Sequence, residues 1–167
     1  MTERTRETVE RWGLAEPKKT GEEAAARAAE PYERTRFHVE EKVHMTSRGL
    51  RVRSKSELLI AEKLYEFGIP FRYEEILNFG AKVLIPDFTI KKVADLPWQS
   101  EPEESFIYWE HCGLTGNPEY MHHHKGKIEF YEKVGIVPWK NLIVTYDDER
   151  GNLNMAIVES EIRNKLF

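Results

Sequence analysis

From residue 54 onward the sequence alternates two kinds of apolar pattern, and that alternation limits the fold more than any other feature. Apolar residues recur at helical spacing over 54–67 and again over 118–134. The stretches 69–74, 83–90, 106–112 and 141–146 are instead short runs rich in β-branched and aromatic residues. Serines near the start and Gly68 at the end bracket the first helix, as Pro118 and Gly135 bracket the second. A turn over 147–152 leads to a fifth expected strand over 153–158 and a closing helix over 160–167. Residues 91–104, KKVADLPWQSEPEE, are polar and hold two prolines, which predicts a connecting loop. The order of helix, strands, helix, strands predicts an α/β fold built on a mixed sheet of four to five strands.

The chain has 167 residues, enough for one ordinary domain with a short appendage. Residues 1–45 are rich in Glu, Arg and Ala and carry no strand-like run, and Pro17 and Pro31 interrupt their helical tendency. They predict a helical or partly disordered arm, with the domain proper spanning 46–167. No internal repeat is present. No run approaches the roughly 18–20 apolar residues of a membrane helix, and MTERTRETVE lacks the apolar core of a signal peptide. With a single cysteine, Cys112, no internal disulfide can form. These features lead us to expect a cytoplasmic protein.

Four charged residues stand where the patterns call for apolar ones. On the first helix Leu58, Ile60, Ala61, Leu64, Tyr65 and Phe67 form one face, and Glu57 falls near its middle. A carboxylate aimed at a core costs several kcal/mol unless it is compensated; the plainer alternative is that Glu57, in the first turn, reaches solvent and favours the helix dipole. On the second helix Lys127 lies among Phe130, Tyr131 and Val134, whereas Lys125 lies on the solvent side. A buried lysine needs an anionic partner, unless it snorkels to the surface. Strand alternation places Asp87 with Val83, Ile85 and Thr89, and Glu110 with Phe106, Tyr108 and Cys112. Three inward acids that converge repel one another, and a hard divalent cation with oxygen ligands is the simplest relief.

The net charge of −4 gives no global attraction to nucleic acid. Yet Arg48, Arg51, Arg53 and Lys55 form a basic run without an acid, suited either to backbone phosphates or to a solvated turn. His122, His123 and His124 point about 100° apart on a helix and cannot share one ion; His124 or His123 is expected to face substrate, and His124 is the candidate we carry forward. Trp98 is a candidate exposed aromatic, and His111 falls on the strand face opposite Glu110.

Taken in order, SKSE (54–57) opening a helix, PDF (86–88) in a strand and YWEH (108–111) in the next resemble the PD-(D/E)XK nuclease superfamily. The nearest pattern is the subset with YxEH followed by a Tyr-rich helix bearing Lys, seen in nuclease modules of phage proteins and helicases. Here that helix carries Tyr120, Lys127 and Tyr131, and NLIVTYD (141–147) is similar to the strand that follows. The resemblance covers roughly 48–150. It implies a restriction-endonuclease-like core in αβββαβ order, flanked by helices. It further implies that Asp87 and Glu110 bind Mg²⁺, with Mn²⁺ able to substitute, aided by the backbone carbonyl of His111, and that Glu57 completes the shell or orients its water. The sequence departs from the pattern at Cys112, which stands where the family's lysine usually does; in members with a displaced lysine the following helix supplies it, which points to Lys127.

The expected activity is hydrolysis of phosphodiester bonds in nucleic acid, with DNA the expected substrate and RNA left open, and with Lys127 positioning water or stabilising the phosphorane charge. Arg48, Arg51, Arg53 and Lys55 would hold phosphates on either side of the cut. Two other functions fit the same residues: a nucleic-acid-binding module without catalysis, since a thiol at 112 carries no positive charge, and an interaction subunit whose arm docks a partner or a second copy.

Overall fold

A computed structural model describes residues 18–94 and 103–167 of the chain. Its elements begin with helix α1 (Lys18–Ala29), the short strands β1 (His44–Met45) and β2 (Arg51–Val52), and helix α2 (Lys55–Glu66). Strand β3 (Arg72–Tyr73), the hairpin β4 (Leu77–Phe79) and β5 (Lys82–Leu84), and the longer strands β6 (Phe88–Ala94) and β7 (Glu103–Cys112) follow. Helix α3 (Pro118–Lys133), strand β8 (Leu142–Tyr146) and helix α4 (Met155–Lys165) complete the order.

Local chemistry sets the helix ends. Ser54, in extended backbone, accepts the amide of Glu57 at 3.0 Å and starts α2. Asn117 accepts the amide of Tyr120 at 3.0 Å ahead of Pro118, which opens α3. Gly68 and Gly135, at φ 67 and φ 81, turn the chain out of α2 and α3 in a conformation that costs a side-chain-bearing residue.

The central sheet has four strands in the order β3-β6-β7-β8. β6 pairs antiparallel with β3 and β7, whereas β7 and β8 run parallel. Parallel neighbours need a crossover, and α3 is that crossover. Alternation then divides the strands between two cores. Phe88, Ile90, Ile107, Trp109 and Ile143 meet α2 and α4 on one face, where Ile60, Leu64, Val158 and Ile162 are buried. On the other face Tyr108, Leu142 and Val144 pack with Leu84, Tyr131 and Ile136. Trp109 is fully buried, so its truncation to Ala would cost roughly 3–5 kcal/mol. Helix α1 lies along β6, with the Arg27 guanidinium 4.6 Å from the Phe106 ring centre and bonded to Glu75 at 2.9 Å. The chain is thus an α/β protein whose mixed sheet has helices on both faces.

Three expectations from sequence need correction. The strand expected over 83–90 is two strands: β5 ends at Leu84 and β6 begins at Phe88. Pro86 lacks an amide donor, and the Asp87 carbonyl accepts from the Glu74 amide at 3.0 Å. Alternation therefore does not carry across: Val83 is exposed while Thr89 is buried. Second, no fifth strand forms over 153–158. Leu153 makes an isolated bridge to Asp147, and the Asn154 side chain accepts the amides of Ala156 and Ile157, so α4 begins at Met155 rather than at 160. That cap, and the burial of Val158 with Ile162 four residues on, outweigh β-branched propensity. Third, residues 91–94 and 103–105, expected in a loop, belong to β6 and β7. Trp98 and residues 1–17 lie outside the described residues. Among the described residues no helix is long and apolar enough to cross a membrane.

Candidate functional site

Four charged side chains arrive at one cleft from four elements. Glu57 comes from the first turn of α2, Asp87 from the residue before β6, Glu110 from β7 and Lys127 from α3. All four line a cavity of ≈ 410 Å³, together with His111 and Tyr120.

Each acid is held. Glu57 is buried, and its Oε2 accepts the Tyr73 hydroxyl at 2.6 Å and the Arg53 amide at 3.0 Å. Asp87 Oδ2 accepts the His111 amide at 2.6 Å, which ties the entry of β6 to β7, and among the described residues Oδ1 accepts no hydrogen bond. Glu110, also buried, takes the Lys127 ammonium on Oε1 at 2.6 Å and the Tyr131 hydroxyl on Oε2 at 2.9 Å. Lys127 donates a second bond to the Ile85 carbonyl at 2.8 Å. The wheel's inward placement of Glu57 and Lys127 and its outward placement of Lys125 agree with this geometry; Lys125 has 77% of its side chain exposed.

The electrostatics follow from crowding acids around one cation. Burial, then the charges of Glu110 and Glu57, push the Asp87 carboxyl well above the usual carboxylate range. Burial opposes the Lys127 ammonium, but Glu110 and Asp87 outweigh it and its pKa rises. Burial and the nearby acids raise Tyr131 well above its ordinary value, and burial first among several causes pushes Tyr120 up to about 12. Carboxylates of this kind are oxygen ligands, which suit a hard divalent cation better than a soft one.

The His111 ring leaves the cleft, as its strand position predicts. Its Nδ1 lies 3.0 Å from Thr145 Oγ1 and its Nε2 3.2 Å from Asp147, which also accepts the Ser56 hydroxyl at 2.7 Å.

The candidate nucleic-acid contacts scatter. Arg53 is consumed within the chain: its guanidinium bonds Glu74 at 2.5 Å, Glu41 at 3.2 Å, and the carbonyls of His38 at 2.9 Å and Phe37 at 2.5 Å. It braces the cleft wall and is not free for phosphate. Arg48 lies over the Tyr65 ring at 4.5 Å, while Arg51 and Lys55 are exposed. His124 is buried beside Tyr146, 3.4 Å from its hydroxyl, and lines an apolar depression with Met121 and Ile128 instead of the cleft. Burial lowers its pKa.

Several cleft residues escaped the sequence reading. Tyr131 had a signal, since four residues separate it from Lys127 on one helix face. Glu74 had none. It bonds Arg53, pairs with Lys42 and adopts φ 49, a conformation uncommon outside Gly and Asn. At the rim, His38, Glu40 and Glu41 bring one ligand atom each to within 4.8 Å of one another; all three are exposed.

No family model matches the chain, and no solved structure matches it. It is 26% identical over 125 residues to an uncharacterized protein of Methanocaldococcus jannaschii. The matched region takes in 74% of this chain and 10% of the archaeal protein, so the chain spans about a tenth of that relative's length.

Proposed function

We propose that this chain is a metal-dependent nuclease of the PD-(D/E)XK type, acting on DNA. The observation that carries the reading is the position of Lys127, whose ammonium enters the acid-lined cleft from α3 and bonds Glu110. That is where the lysine absent from position 112 is needed. The order α2, β3, β6, β7, α3, β8 supports a restriction-endonuclease-like core, with the β4–β5 hairpin as an insertion.

Asp87 and Glu110 would hold Mg²⁺ or Mn²⁺, with the His111 carbonyl as a further donor. Bound there, the ion would supply a Lewis acid for the phosphate and lower the pKa of water. The chain's own groups do the rest. Tyr131 and Lys127 fix both oxygens of Glu110 so that the carboxylate cannot rotate away. Lys127 places a positive charge where negative charge develops on the phosphate. Glu57, held by Tyr73 and the Arg53 amide, is an acceptor aimed into the same cleft. A protein that merely bound nucleic acid would gain nothing from three acids beside a phosphate.

The test is incubation of plasmid, single-stranded DNA and RNA with Mg²⁺ or Mn²⁺, using wild type, Asp87→Ala and Lys127→Ala. Metal-dependent cutting that disappears in both variants is the expected result. No cutting of any substrate, with no calorimetric binding of either metal, would overturn the proposal in favour of an interaction subunit.

A further inference from the structure

Beside the acidic cleft runs a larger groove of ≈ 1140 Å³, and its charge is opposite. Its lining includes Arg34, Arg36, Arg48 and Arg51 against one acid, Glu33, while Lys42, also in the lining, is buried and paired with Glu74. In a chain of net charge −4 this concentration comes from the fold, not from composition. One bank is the β1–β2 turn, where Gly49 at φ 80 reverses the chain and its amide bonds the Thr46 carbonyl at 3.0 Å, presenting Arg48 and Arg51. The other bank is 33–36, pinned to the body by the Arg34–Glu75 bridge and by the Thr35 amide on the Glu74 carbonyl at 3.3 Å.

Arg36 and Arg51 are exposed and form no ion pair among the described residues. Val39, Leu50 and Ile76 add apolar surface to the lining, and Val39 is 53% exposed. Thr35 lines both this groove and the cleft, so the two meet.

We infer that the groove carries a single-stranded polynucleotide into the cleft. A duplex hides its bases and presents phosphates outward, and gains little from an apolar lining. An unpaired strand offers phosphates to arginines and leaves its base faces open to apolar contact with Val39, Leu50 and Ile76. The inference names the substrate form for the nuclease reading and rests on it.

The test measures binding without chemistry. Fluorescence anisotropy in EDTA follows a labelled oligo(dT) of about 15 nucleotides, the matching oligo(U), and a duplex of the same length. Wild type is compared with Arg36→Ala/Arg51→Ala and with Lys125→Ala/Lys133→Ala, which removes equal charge from exposed positions on α3. Single strands are expected to bind more tightly than duplex. The arginine variant should weaken them about tenfold and lower the log–log salt slope by roughly 1.4, from about 0.7 per phosphate. Equal affinity of the arginine variant and wild type overturns the inference, as does an equal loss in the lysine variant or duplex binding as tight as single-strand binding. Because EDTA silences cleavage, a failure of the groove leaves metal-dependent cutting intact, and a failure of the nuclease reading leaves arginine-dependent binding intact.

Discussion

Lys127 Nζ stands 2.6 Å from Glu110 Oε1 and 2.8 Å from the Ile85 carbonyl, so one ammonium joins α3, β7 and the segment leading to Asp87. Removing it strips charge from the cleft and leaves buried carboxyl groups facing one another. Lys127→Ala is therefore expected to lower the cleavage rate about 10²–10³-fold and stability by roughly 1.5–3 kcal/mol. Single-turnover cleavage and urea unfolding separate the two effects. Full activity in a folded Lys127→Ala protein would remove the lysine from the chemistry.

Asp87 gives the metal-free protein a pH signature. Its carboxyl is pushed well above the usual range by burial and by Glu110 and Glu57. The folded chain thus keeps a proton that the unfolded chain releases near pH about 4. Its contribution to stability is lost as pH rises from there through the folded value. Asp87→Asn should flatten that decline and raise Tm at neutral pH. Mg²⁺ should raise the Tm of wild type and leave the variant unmoved. Thermal melts across pH, with and without Mg²⁺, check both; a variant melting below wild type at pH 7 counts against the crowding of acids.

His124 has the opposite sense. Burial favours its neutral ring and lowers its pKa from 6.5. The unfolded chain takes up a proton near pH 6.5 that the folded chain refuses, so stability falls as pH drops through that window. His124→Gln is expected to shrink the loss between neutral and mildly acid pH. Equilibrium unfolding at a series of pH values gives the slope directly.

Thr145 supports the site from behind. Its hydroxyl accepts the Trp109 indole at 2.9 Å and lies 3.0 Å from His111 Nδ1. Thr145→Val keeps the shape but leaves a buried donor unpaired, at a cost of roughly 1–3 kcal/mol, and loosens the strand whose His111 amide holds Asp87. Thr145→Ser should recover most of the loss. The urea midpoint reports the change, with the m-value unaltered.

What could be read from sequence was whatever depends on near neighbours along the chain. Ser54 and Pro118 start helices where their capping chemistry puts them, and the helical period alone turned Glu57 and Lys127 inward. Periodicity failed where a neighbouring residue changed the backbone: Pro86 broke the expected strand, so the reasoning that set Asp87 inward by alternation with Val83 did not apply. Asn154 turned a β-branched run into α4. Contacts between distant segments were invisible. No pattern indicates that Arg53 would be taken up by Glu74 and by the carbonyls of Phe37 and His38, or that 33–36 would face the β1–β2 turn across a basic groove.

The parallel pairing of β7 and β8 demands a crossover, and α3 meets that demand while also delivering the cation. A component required by topology thereby became the carrier of the charge. Position 112, on β7, holds a thiol packed 3.5 Å from the sulfur of Met121. The site is thus defined by a point in space and not by an interval along the strand. On the proposed nuclease reading the positive charge is required at 127, and the buried position 112 need only be filled. A motif search confined to the strand will pass over any chain that solves the problem in this way.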